Sequence, residues 1–289
     1  MYIVAVLAAI IASISPFWGL IFIISFCGKY LNKRNLLLLI FACAAVILFA
    51  VKSIDITKFA DVIFGVGLAA FLYFLIFTKT LNYLYSILAA YVINLIYAVI
   101  RHFLLGNILK ANIAHLMEIY KQFISSSMQD KPENLQMALA LINSTEEIFA
   151  KFYIGIWIVS MTFAVYFGTM LLSRKTMIKW QHRKIGMPFF FIYLLIIALV
   201  LFLLPNMKTT GINALAILAP IFLIQGISIL DFYWGDFFKR SRFLLFLLII
   251  SMVFNYFILI LVALIGLLDI WFDFRKIRTM EEIHENHSN

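Results

Sequence analysis

Charged residues are scarce in this sequence. They make up 13% of its 289 residues, about half the share found in a soluble globular domain. So few charges cannot cover a water-exposed surface, which excludes an ordinary soluble fold. Cysteine is scarcer still. Cys27 and Cys43 are the whole complement, without metal-ligand spacing, and both lie in or beside apolar runs where thiols pack as small hydrophobes. Catalytic signatures are missing too: there is no HExxH zinc helix, GxSxG elbow or GxxxxGK[ST] phosphate loop. His102, His115 and His182 are scattered over helix ends and loops, and His284 and His287 sit in a polar tail. Asp61 stands at the start of its apolar run, so acids inside such runs are too few for a proton relay. The chain reads as a non-enzyme with no metal site and no cofactor.

What fills the sequence instead is hydrocarbon. Hydrophobic residues reach 65% and mean hydropathy is +1.04. Apolar runs occupy 2–27, 36–51, 60–78, 81–105, 152–173, 187–205, 211–231 and 243–268, several near the ~20 residues that cross a bilayer as a helix. The fold class expected is all-α: a polytopic membrane bundle of about eight transmembrane helices, forming one integral membrane domain over 1–289. The first run has no basic leader and no small-residue cleavage site, so it reads as a span rather than a signal peptide. Pro16 kinks that run or splits it into two half-helices. Few residues separate 78 from 81, which predicts a tight antiparallel pair. PNMKTTG at 205–211 predicts another tight turn, with Pro205 ending one helix and Gly211 beginning the next.

Residues 106–150 form an amphipathic helical insert between the fourth and fifth spans. Ile108, Ile113, Leu116, Ile119, Tyr120 and Phe123 recur at helical spacing, as do Leu135, Leu139, Leu141 and Ile142, with SSSMQDKPEN dividing the two patterns. Neither half is apolar enough to span, so each is expected along the membrane surface or over the bundle mouth. The net charge of +9 belongs to loops that set orientation and meet anionic lipid, and implies no nucleic-acid partner. One set of alternate loops holds twelve Lys and Arg and the opposite set six, with five more across 101–151. The short loops make the first set cytoplasmic, but the full tally of twelve against eleven fixes orientation only weakly.

Polar groups inside apolar runs need partners. Gln225 lies in one such run, beside Gly226, which permits close helix approach. Asn94 lies mid-span and Asn255 midway along the last run; these three are the candidate substrate contacts, and Asn94 or Asn255 is the expected partner of Gln225. Arg101 stands close enough to its helix end to snorkel. Asp231 and Asp236 are expected to pair with Lys239 or Arg242. The final motif, GLLDIWFDFRK at 266–276, reads as a helix leaving the bilayer: aromatic belt, basic Arg275 and Lys276, and an ion-paired stripe of Asp269, Asp273 and Lys276. Asp269, so near the aliphatic run, asks for a more specific structural or binding role.

NALAILAPIFLIQGISIL, then a basic loop, a long apolar helix and GLLDIWFDFRK, resembles the YybS-like family of bacterial predicted membrane proteins. Gln225, Gly226, Gly266, Asp269, Asp273 and Arg275 carry the resemblance, and the N-terminal half agrees only in hydropathy. At the level of fold it is also distantly similar to the substrate-binding membrane subunits of energy-coupling-factor transporters. The resemblance implies a multi-pass protein of the bacterial cytoplasmic (inner) membrane, among membrane lipids, with a partner membrane or ATPase subunit. A small-molecule transport or substrate-capture subunit is the leading expectation. The alternative is a non-transporting scaffold or assembly factor, in which the same polar residues only hold helices together.

Overall fold

The computed structural model describes residues 2–27, 33–127, 132–176, 178, 180–240, 251 and 255–277. They form helices and connecting turns, with no strand among the described residues. The chain packs as two compact units, Met1–Lys179 and Trp180–Asn289.

In the first unit the opening run is two helices, α1 (Tyr2–Ile14) and α2 (Pro16–Cys27). Proline has no N–H for an intrahelical bond, and the break falls at Ser15 just before it. Small residues let the halves close on each other: a Cβ on Gly19 would overlap Ala12. Helix α3 (Arg34–Ala50) follows. Then α4 (Ile56–Ala60), a π-helix over Asp61–Leu68 and α5 (Ala69–Thr80) run end to end. Leu81 adopts a left-handed conformation and Asn82 accepts a hydrogen bond from Leu84 N at 2.8 Å, closing the tight antiparallel turn expected there.

Helix α6 (Tyr83–Ser127) and helix α7 (Pro132–Ser173) are 45 and 42 residues long. The amphipathic patterns of 106–150 are the distal parts of these two helices rather than separate helices, because no breaker stands where span and insert would part. Gly106 alone cannot end a helix, and the Tyr153 hydroxyl packs over it. At 1.5 Å per residue α6 is about 68 Å long, over twice the ~30 Å hydrocarbon thickness. Lys121 and Glu146 join the two distal parts at 2.8 Å. Of the divider, residues 128–131 lie outside the described residues.

The second unit holds α8 (Phe190–Leu203), a turn at Pro205–Met207, α9 (Lys208–Arg240) and α10 (Tyr256–Phe272). Proline stops α8 as expected, and Gly211 lies so near Phe202 that a Cβ there would overlap its backbone. Among the described residues, four helical stretches are long and apolar enough to cross a membrane: Ile56–Thr80, Tyr83–Ser127, Glu133–Ser173 and Pro205–Phe237. The other apolar helices run from 11 to 17 residues. Among the described residues the eight expected spans are thus represented by four helices of spanning length and five shorter ones. Residues 243–250 and 252–254 of the last expected span lie outside the described residues.

Candidate functional site

Two buried polar clusters stand out, one in each unit. In the second unit α9 and α10 cross with backbone nearly touching backbone. A Cβ on Gly226 would overlap the Val262 carbonyl, and one on Gly266 would overlap the Phe222 carbonyl. Glycine is needed at both positions because no other residue permits that approach. The crossing brings Gln225 and Asp269 together, and Gln225 Nε2 donates to Asp269 Oδ2 at 2.6 Å. Helix α10 then ends at Asp273, whose φ of 46° is left-handed, a conformation aspartate tolerates better than most residues. The chain reverses and returns Arg275 to Asp269.

Arg275 spends every N–H it has. Nε and Nη2 donate to Asp269 Oδ2 at 3.2 and 2.7 Å. Nη1 donates to the Arg183 carbonyl and to Ser228 Oγ at 2.8 and 2.7 Å. Nη2 also donates to the Ile185 carbonyl at 2.6 Å. Ser228 donates to the His182 carbonyl, and Gln225 Oε1 accepts from Met187 N at 3.0 Å. The segment 182–187 is thus pinned by side chains of α9 and by Arg275. Both partners of the ion pair are buried, at 1% and 2% side-chain exposure. The open position is Asp269 Oδ1, which has no hydrogen-bond partner among the described residues. Chemically this is a clasp: its donors are committed to the protein itself. At its edge Asp231 accepts from His182 at 3.0 Å and Asp236 from Arg183 at 2.8 Å. The Asp236 hydrogen bond, outweighing slight desolvation and joined by the charge of Asp231, raises Arg183 above the usual guanidinium range.

In the first unit the π-helix places Asp61 against α6. Arg101 grips its carboxylate with two bonds, Nε to Oδ1 and Nη2 to Oδ2, both 2.8 Å. The Tyr97 hydroxyl donates to Oδ1 at 2.6 Å. The guanidinium also lies 4.4 Å from the centre of the Trp157 ring on α7, a cation–π contact. Asn94, Tyr97 and Arg101 fall on one face of α6 by their spacing. Asn94 is 2% exposed; its Nδ2 donates to the Ala90 carbonyl at 3.1 Å. Asn94 Oδ1 and Trp157 Nε1 are buried with no partner among the described residues. The ion pair thus sits against the ring that carries the unspent donor, with the unspent acceptor two turns back along the same face of α6 and a π-helix opposite. Such irregular turns are frequent at functional sites.

Of the three polar candidates, Asn94 joins this first cluster and Gln225 belongs to the clasp, paired with Asp269 and Met187. Asn255 is exposed and caps α10, accepting from Phe257 N at 3.0 Å; the last helix begins there rather than running through it. Gly226, Gly266, Asp269 and Arg275 all serve the clasp. Asp273 ends the helix, so it forms no continuous stripe with Asp269; it accepts from Ile277 N at 3.1 Å instead. Asp231 and Asp236 pair with His182 and Arg183; Arg242, and the side chain of Lys239, lie outside what is described. Sequence reasoning missed the Asp61–Arg101 pair and expected Arg101 to snorkel. The signal was present in the turn geometry: Leu81 lies midway between the two residues, so an antiparallel hairpin folded there sets them level.

No curated protein and no solved structure matches this chain. One family model does, described as a predicted membrane protein, and it covers residues 2–270. With helices and no strand among the described residues, four of them of spanning length, and a match over nearly its whole sequence, the chain belongs to the DUF2232 family of predicted membrane proteins.

Proposed function

We propose that this chain is a non-enzymatic, multi-pass protein of the bacterial cytoplasmic membrane that captures or helps to transport a small molecule at the Asp61–Arg101 cluster. One observation carries the reading: Trp157 Nε1, on the ring that the Arg101 guanidinium covers, and Asn94 Oδ1, seven residues back on the same face of α6, are buried with no partner among the described residues. Unpaired buried polar atoms cost about 1–3 kcal/mol each, and a ligand that supplies their partners recovers that free energy. The YybS-like resemblance, and through it the likeness to substrate-capturing subunits of energy-coupling-factor transporters, fits this role. Because the sequence holds no ATP-binding motif, energy would come from a partner membrane or ATPase subunit, or from an ion gradient.

A second reading, a scaffold or assembly factor, is favoured by the clasp, whose five arginine donors are all spent on the chain itself. The two are separated by purifying the full chain in native-lipid discs and analysing what is bound by mass spectrometry. A non-lipid small molecule recovered with the wild type, and lost from Asn94→Leu, supports capture. Lipids alone from both samples would leave the scaffold reading.

A further inference from the structure

We propose that the Asp61–Arg101 pair is an exchange site: the Asp61 carboxylate takes up a proton while a small organic carboxylate replaces it on the Arg101 guanidinium. This rests on the capture reading and adds the substrate class and its coupling ion.

Charge balance ties the two species together. Asp61 and Arg101 are one anion and one cation, 9% and 11% exposed at their side chains, bonded to each other. A proton arriving alone would leave the arginine buried and uncompensated. An organic anion arriving alone would leave the aspartate so. Either state strands a charge largely removed from water. Arriving together, the two species keep the site neutral throughout, so the pair couples them.

The atoms needed are in place. When Nη2 leaves Oδ2, that oxygen can bind a proton from water, while Tyr97 continues to donate to Oδ1. Arg101 has a second seat on the indole face of Trp157, so releasing Asp61 does not set it adrift. The incoming carboxylate then meets the guanidinium and the unspent Trp157 N–H. Asn94 Oδ1, on the same helix face, accepts a hydrogen bond from a second group on the ligand. That combination selects a small carboxylate bearing a hydroxyl or amide donor. No covalent bond of the ligand forms or breaks: one proton and one anion bind, and the Asp61–Arg101 bonds are exchanged. The other titratable groups around the pair are Tyr97 on α6, Asp55 ahead of α4, and Tyr153 on α7, which is hydrogen-bonded to His102.

The test uses the full chain in lipid nanodiscs with lactate, a hydroxy carboxylate, and lactamide, its neutral analogue. Infrared difference spectra at fixed pH should show a protonated-carboxyl band appearing with lactate in the wild type and absent in Asp61→Asn. Calorimetry in two buffers should give one proton taken up per lactate bound. Arg101→Gln should weaken lactate binding about 100-fold or more. Lactamide binding as well as lactate without proton uptake would overturn the exchange and leave capture of a neutral molecule standing. Lactate binding with no carboxyl band, or no binding of either probe, also overturns the exchange; the capture reading is then decided separately by the co-purified small molecule. The wild-type spectrum needs no variant, so a misfolded Asp61→Asn protein would not shield the proposal.

Discussion

Replacing Arg275 with Met removes five N–H donors while keeping most of the apolar stem. Asp269 Oδ2 then retains only Gln225, and the Arg183 and Ile185 carbonyls and Ser228 Oγ lose a donor. Breaking a buried pair by deleting one partner costs about 3–5 kcal/mol, chiefly by stranding the other charge. The orphaned carbonyls overlap with that figure rather than add to it, because the 182–187 segment can shift once unpinned. The double variant Arg275→Met with Asp269→Leu removes both charges. It should recover about 1–4 kcal/mol of the single loss, since an apolar replacement avoids desolvating ions. SDS-titrated unfolding in bicelles, followed by the fluorescence of Trp180, Trp234 and Trp271 in a Trp18→Phe, Trp157→Phe background, reports on this unit. A single variant within about 0.5 kcal/mol of wild type, or a double variant equal to the sum of the two singles, would refute the clasp.

Other consequences follow from the same geometry. Gly266→Ala should loosen the α9–α10 crossing at a cost of about 1–3 kcal/mol, because its new methyl meets the Phe222 carbonyl; an unchanged unfolding midpoint would show that the helices do not approach as closely as described. Asp55 caps α4, accepting from Lys58 N at 2.8 Å and from Thr57 Oγ1 at 2.6 Å. Burial opposes its charge, but the Lys58 N–H, the Thr57 hydroxyl and the Lys58 charge outweigh burial and hold the carboxyl below its usual range. A lowered value stabilises the fold above the ordinary carboxylate range and ceases to do so as pH falls through the folded-state value. Asp55→Ala should therefore cost about 0.5–2 kcal/mol at neutral pH, the deficit against wild type closing in acid; a deficit that persists in acid would refute the cap.

Much of the fold was legible in the sequence because lipid imposes a simple rule: apolar runs become helices. The all-α class, the Pro205 turn and the α5–α6 hairpin follow from it. Span count was less legible, since hydropathy cannot tell a run of 26 residues crossing once from the same run folded at Ser15. The extent of α6 and α7 was hidden for a related reason. A composition change at Gly106 looks like a boundary, yet backbone hydrogen bonds ignore composition. Among the site residues, Gln225 and Asp269 announced themselves as polar groups in oil, and Gly226 and Gly266 as close-packing positions. Arg275 was misleading. Next to a helix end it looks like an interfacial cation, and only the left-handed turn at Asp273 sends it back inside. Asp61 and Arg101 each sit near a helix end, where a charge usually meets water; their pairing is a property of the hairpin rather than of either residue.

Under the proposed function the two polar clusters do different work, one binding and one fastening. Comparing Asn94→Leu with Gln225→Leu tests this most directly, with unfolding stability and retained small molecule measured on the same preparations. Asn94 Oδ1 has no partner among the described residues, so Asn94→Leu should leave stability within about 0.5 kcal/mol of wild type, or raise it, while ligand is lost. Gln225→Leu should lose about 1–3 kcal/mol and keep its ligand. The opposite pattern, an unstable Asn94 variant that still binds and a stable Gln225 variant that does not, would contradict it.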